Sequence, residues 1–194
     1  MRLVGGFISE PLITNHSLLI THYSSLLLTM EFRSEAHRTA YETTRDCLYE
    51  LFGDVNVRIA DCSFVLEEGS ALVYVRTFPI GQDRAAVEVF SYVLIDVVVT
   101  EQLMRFLLAY NLRLVIGAFG LIVHEDGKGE VLLTRTLLAE GLDSAELYST
   151  VSAIARVADK LDDEMVKSFG GKTALGKLTE RRPPDRSGPD GPIH

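Results

Sequence analysis

The chain is short of cysteine, of positive charge and of long apolar runs, and each shortage closes off a class of function. Two cysteines, Cys47 and Cys62, in 194 residues are too few for a disulfide scaffold, and no CxxC pair offers zinc its thiolates. Cys47 keeps helical spacing with Leu48 and Leu51, and Cys62 alternates with Phe64 and Leu66. Both are expected as small core residues, which fits a reducing cytoplasm. Lysines and arginines number 19 against 27 aspartates and glutamates, a net charge of −8. A nucleic-acid binder would need a basic stripe to neutralise phosphates, so that class is set aside. No stretch reaches the roughly 18–20 apolar residues that span a bilayer. The nearest, SLLITHYSSLLLTM, is broken from Thr21 to Ser25. No signal peptide is expected, because only Arg2 supplies an early positive charge and no small-residue cleavage site stands out.

What is present is the profile of one globular domain, with apolar residues at 47% and charged residues at 24%. Composition separates three zones: residues 1–29, mixed and without clear periodicity; residues 30–171, with all the strong patterns; and a polar tail, 172–194, ending TERRPPDRSGPDGPIH. The tail's prolines, glycines and charges cannot form a core, and it is expected to be disordered.

Within the middle zone, residues 31–52 predict an amphipathic helix with Ala40, Thr44, Cys47, Leu48 and Leu51 on one face and Gly53 as its stop. Three strand-like runs follow: VRIADCSFVLEE, ALVYVRTFPI and RAAVEVFSYVLIDVVV. Pro79 marks an edge or an end of the second, and the short turns between runs favour an antiparallel meander. Thr100 caps a second helix, EQLMRFLLAYNLRL. It carries one apolar stripe at Leu103, Phe106, Leu107, Tyr110 and Leu114 and a second at Met104, Leu108 and Val115. One sheet face needs only the first, so the second points to a deep core position or to an interface with another molecule. A hairpin with Asp126-Gly127 in its turn comes next. Asp143 and Glu146 then form a capping box, with Leu142 and Leu147 as a staple, to open the last helix.

That last helix holds the densest cluster of chemistry-bearing side chains, Asp159, Asp162, Asp163 and Glu164. The buried face runs through Leu147, Val151, Ile154, Ala158, Leu161, Met165 and Phe169. It leaves Asp163 and Glu164 pointing away, with Asp159 and Asp162 on the flank. Lys160–Glu164, Asp163–Lys167 and Arg156–Asp159 are spaced as helical ion pairs. The cluster is read as a solvated helix face rather than a magnesium site, for no phosphate cradle or calcium loop accompanies it. GAFG is too short for a nucleotide motif, and its glycines are read as allowing close packing around Phe119. His16, His22, His37, His124 and His194 make no HExxH pair, and Ser63 and Ser91 lack a G-x-S-x-G setting. Arg76 and Arg135 sit on strands, where arginines commonly face water.

The order helix, three strands, helix, two strands, helix, together with GAFGLIVHEDGKGEVLLTRTLL and ARVADKLDDEMVKSFGG, resembles the bacterial YbjN family, which shares the fold of the type III secretion chaperones. The match covers about residues 30–171 and is clearest from Thr100 onward. The resemblance implies an α+β fold of order α-β-β-β-α-β-β-α, with helices packed on an antiparallel sheet, and no enzymatic activity, cofactor or metal. Family members are commonly labelled sensory transduction regulators, a label that names no ligand. The chaperone relatives are dimers built through their middle helix and hold extended segments of a partner, which agrees with the stripe at Met104, Leu108 and Val115. Residues 1–29 have no counterpart in the family pattern, and Met30 opens a natural start at MEFRSEAH. The extension is either a translation-start error, the favoured reading, or an accessory segment.

The leading expectation is therefore a cytoplasmic, non-catalytic binding protein, homodimeric, contacting a protein partner but neither nucleic acid nor membrane. It predicts an apolar groove or a free sheet edge beside the helix at 100–114. A type III secretion chaperone for a cognate effector ranks second. A metal-dependent hydrolase using Asp159, Asp162 and Asp163 ranks last.

Overall fold

Alternating and continuous apolar runs between residues 63 and 98 build the sheet on which the helices rest. The computed structural model describes residues 32–60 and 63–174. Its strands are β1 Arg58–Ala60, β2 Ser63–Glu68, β3 Ala71–Ile80, β4 Arg84–Val98, β5 Ala118–Val123 and β6 Lys128–Leu138. They form one antiparallel sheet in the order β1-β2-β3-β4-β6-β5. The α-helices among the described residues are α1 Glu35–Phe52, α2 Glu101–Asn111 and α3 Ser144–Phe169. This is the expected α+β architecture. The segments 1–29 and 175–194 and the residue Cys62, on which expectations were also placed, lie outside the described residues.

One run reads differently in three dimensions. VRIADCSFVLEE is two strands, since β1 pairs antiparallel with β2 and places Ala60 opposite Ser63. The reversal resets the parity, so Ala60 is exposed. In β2, Phe64, Val65 and Leu66 are all buried, because the strand is covered on both faces. Phe64 stacks on Tyr41 of α1, while Val65 joins Leu72, Ile95 and Ala174 in a small cluster. Ala174 belongs to a stretch past the expected boundary at Gly171: Lys172 and Ile95 exchange two backbone hydrogen bonds of 2.8 Å.

The helix ends follow their local signals. Ser34 caps α1, accepting from the His37 N–H at 3.1 Å, so the helix starts at Glu35, four residues later than expected. Thr100 caps α2 through the Leu103 N–H and Asp143 caps α3 through the Ala145 N–H. Glu146 does not close the capping box; its carboxylate meets Arg135 on β6 at 3.0 Å. Helices α1 and α3 pack on β3 and β4 and on each other. Leu48, Leu147, Val151 and Ile154 are buried there with Val73, Val75, Val87, Val89 and Val93. Pro79 pairs with Ala85 on β4, but β2 ends its pairing at Arg76, so among the described residues Pro79 borders no strand on its other side. The nearby Thr77 carbonyl is met instead by His37 Nε2 at 3.1 Å.

Candidate functional site

Helix α2 stands apart from the other two. It rests chiefly on β5, an edge strand, rather than over the middle of the sheet. Leu103 and Leu107 are its buried residues. Phe106 and Tyr110 join Phe119 of β5 and Phe169 of α3 in a chain of ring contacts with centroids 5.2–5.7 Å apart. The helix stops at Asn111 instead of running to Leu114, and the side chain of Asn111 accounts for the stop. Its Oδ1 accepts from the Phe119 N–H at 2.7 Å and its Nδ2 donates to the Phe119 carbonyl at 3.3 Å. One side chain thus makes the two bonds a neighbouring strand would make, and pins the helix end to β5.

The other side of α2 faces water. Met104 is 41% exposed, Leu108 71%, Leu112 90% and Val115 97%. Met104 and Leu108 form the expected ridge, but Val115 lies beyond the helix, in the turn that leads to β5. Helical spacing assigned it to the ridge only because the helix was expected to continue. Leu112, at the C-cap and four residues after Leu108, is exposed as well, although the expected stripe did not include it. Ile122 and Val123 on β5 are exposed as well. With Asn111 engaging Phe119, strand alternation leaves the outward N–H and C=O groups of Leu121 and Val123 facing away from β6.

Beside the end of α2 a groove of about 480 Å³ opens between residues 110–116 and the middle of α3. Its surface is mostly apolar, with Tyr110, Leu114, Ile116, Ala153, Val157 and Leu161 among the lining residues, and its charged groups are Arg113, Arg156 and Lys160. Sequence reasoning placed Arg156 and Lys160 in ion pairs along α3. Arg156 instead donates to the Ser152 carbonyl at 3.1 Å, and Asp159 turns the other way.

The acidic cluster is split by its surroundings. Asp162, expected on the flank, is buried at 4% exposure. It lies one turn from both Ala158 and Met165, within the packed arc. Asp159 accepts from the Ser70 N–H at 2.6 Å and faces the Ser70 hydroxyl at 2.8 Å, and Asp162 faces the same hydroxyl at 2.9 Å. Burial pushes the Asp162 carboxyl above the usual range, while bonds from Ser70 and the Asp163 N–H pull it back. The Ser70 N–H, and then its hydroxyl, hold Asp159 below the usual range. Ser70 occupies the turn between β2 and β3, where Gly69 has φ +63°. A Cβ on Gly69 would run into the Asp159 carboxylate. The two aspartates clamp that turn to α3, and Asp163 faces solvent. Among the described residues no three His, Cys, Asp or Glu side chains are placed to hold a metal ion.

The remaining candidates are accounted for structurally. Arg76 pairs with Glu88 at 2.6 Å and lies over the Phe90 ring, and Arg135 meets Glu146. Gly117, at φ +80°, has the Thr134 carbonyl and Ile154 where a Cβ would sit, whereas Gly120 has open space. The close packing read from GAFG therefore belongs to Gly117 alone. Cys47 is half-buried and accepts from the Ser144 hydroxyl at 3.4 Å. His124 lies 4.0 Å from Glu130; His16, His22 and His194 fall outside the described residues. Among the described residues no helix is long and apolar enough to cross a membrane.

An antiparallel sheet with helices on it, and one helix perched at its edge with an apolar side in water, is the architecture of an α+β binding domain of the chaperone type. The chain belongs to the family described as T3SS (YopN, CesT) and YbjN peptide-binding chaperone 1, whose model matches residues 39–177. Among solved structures it is similar to YbjN from E. coli, at 13% identity and a TM-score of 0.43, over 64% of this chain and 92% of that one. It is also similar to an uncharacterized protein from Methanothermobacter thermautotrophicus, at 16% identity and a TM-score of 0.33, over 66% of this chain and 97% of that one. No curated protein sequence matches.

Proposed function

We propose that this protein is a non-catalytic cytoplasmic binding protein that dimerises through α2 and holds an extended segment of a protein partner. The domain that does so spans about residues 30–171, with Lys172 and Ala174 also packed on it. The observation that carries the reading is where the exposed apolar side chains fall. Of the eleven large ones among the described residues, six lie between Met104 and Val123. Exposed apolar side chains gathered on a helix and on the strand it rests on point to an interaction site.

Two parts of that surface suit two partners. Met104 and Leu108 form a helical ridge suited to the same ridge on a second copy. Strand β5 carries no charge and no proline along Ala118–Val123, so it lacks the usual guards of a sheet edge. The opposite edge, β1, is three residues long and bears Arg58. An extended segment added beside Leu121 and Val123 would gain backbone bonds there. The family's description as peptide-binding chaperones supports this reading. A secretion chaperone for a cognate effector would use the same surface and differ only in the partner's origin.

The test compares the full chain with a Met104→Glu, Leu108→Glu variant by light scattering and circular dichroism. The wild type is expected at twice the chain mass and the variant at the chain mass with the same spectrum. A wild type that stays monomeric at its highest soluble concentration refutes the dimer. Leu121→Pro removes an outward N–H without touching the β6 ladder. It is expected to abolish peptide binding at a folded edge, and undiminished binding refutes strand addition.

A further inference from the structure

The groove between residues 110–116 and α3 has an electrostatic character opposite to that of the chain. The whole protein carries a net charge of −8, yet the ionisable side chains lining the groove are Arg113, Arg156 and Lys160, with no carboxylate among them. Arg156 and Lys160 stand one turn apart on α3, a rise of about 6 Å, and Arg113 lies on the opposite wall. None of the three guanidinium or ammonium groups forms an ion pair among the described residues. Between them the walls are apolar, from Leu114, Val115 and Ile116 on one side and Ala153 and Val157 on the other.

We infer that this groove receives a segment of the partner polypeptide in which carboxylates alternate with apolar side chains. In an extended peptide, residues two apart lie on the same side at about 6.6–6.8 Å, which matches the spacing of Arg156 and Lys160. The intervening side chains then turn toward the apolar wall at 114–116. A single long-chain carboxylate would engage only one of the three cations. A polyanion such as RNA would find few polar partners in the groove and would meet a chain of net charge −8. The chain's net negative charge adds selectivity, for it disfavours acidic segments away from a cationic site such as this one.

This inference rests on the reading of the protein as a holder of partner segments, and the experiment separates the two. A short labelled peptide alternating aspartate with leucine is titrated with the full chain by fluorescence anisotropy, beside its asparagine–leucine counterpart and dodecanoate. The aspartate peptide is expected to bind more tightly, to weaken with added salt, and to lose about tenfold or more in affinity in an Arg156→Glu, Lys160→Glu variant. Those residues are exposed, and an unchanged melting temperature verifies the fold. In the same variant a lysine–leucine peptide is expected to gain affinity, which no loss of folding would produce. Equal binding of the aspartate and asparagine peptides overturns the inference and leaves the peptide-holding function standing. Binding of dodecanoate alone, with the same dependence on the cations, overturns it in favour of a lipid. If nothing binds a folded wild type, the inference falls, and the peptide-holding function is decided at the β5 edge by Leu121→Pro.

Discussion

Replacing Ser70 by alanine tests the clamp between the β2–β3 turn and α3. The Ser70 hydroxyl has one hydrogen and faces two carboxylates, Asp159 at 2.8 Å and Asp162 at 2.9 Å. It can donate to only one of them. When Asp162 is ionised, the two carboxylates compete for that hydrogen; when Asp162 is protonated, it donates to Ser70 and Ser70 donates to Asp159. Alanine leaves the Asp159 bond to the backbone N–H of residue 70 in place. Asp162, buried at 4% exposure, is left with the Asp163 N–H at 2.6 Å. A hydrogen bond to a charged group contributes about 1.5–3 kcal/mol, so Ser70→Ala is expected to cost about 1–3 kcal/mol at neutral pH. Urea unfolding at pH 7 measures it. A midpoint within a few tenths of a kcal/mol of wild type would refute the reasoning, since the clamp would then contribute nothing.

The pH dependence carries the sign of each shift. For Asp162 the folded state holds its proton more tightly than the unfolded chain, so stability falls as pH rises from the ordinary carboxylate value to the raised one. Asp162→Asn is expected to remove that fall and to match or exceed wild-type stability at pH 7, as read by melting from pH 4 to 7; a variant with the wild-type slope refutes it. Asp159 acts oppositely, with stability lost as pH drops below the ordinary carboxylate value toward the lowered one. The Ser91 hydroxyl is fully buried without a hydrogen-bond partner among the described residues, so Ser91→Ala is expected to stabilise by about 1 kcal/mol. A lower unfolding midpoint would contradict this. Asn111→Ala removes both bonds to Phe119 and is expected to cost about 1–2 kcal/mol. It should also speed hydrogen exchange at the Phe119 amide, and unchanged protection there would show that Asn111 does not pin the helix.

Much of the scaffold was legible along the chain because its causes are local. Thr100 and Asp143 cap helices through N–H groups two or three residues away. The Asp126-Gly127 turn joins β5 to β6 where expected. The α3 stripe from Leu147 to Met165 is buried throughout, since a period near four residues leaves one face apolar whatever covers it. Met104 and Leu108 were visible in the same way, as apolar positions beyond what one sheet face requires. Where helical period was trusted past its end, it misled: Asn111 stops α2, and Val115 is carried off the ridge into the turn.

Only the tertiary structure decided the rest. Asp159 and Asp162 meet a serine about 90 positions away in sequence, and no spacing along α3 announces that partner. The first strand run divides because β1 folds back to pair with β2, and β2 is covered on both faces, which its neighbours determine. Arg113, Arg156 and Lys160 become one cationic rim only when the turn after α2 comes to lie against α3. Sequence periodicity records which side of an element is apolar; which distant side chains share a surface depends on long-range packing, and the groove between the turn after α2 and α3 was assembled there.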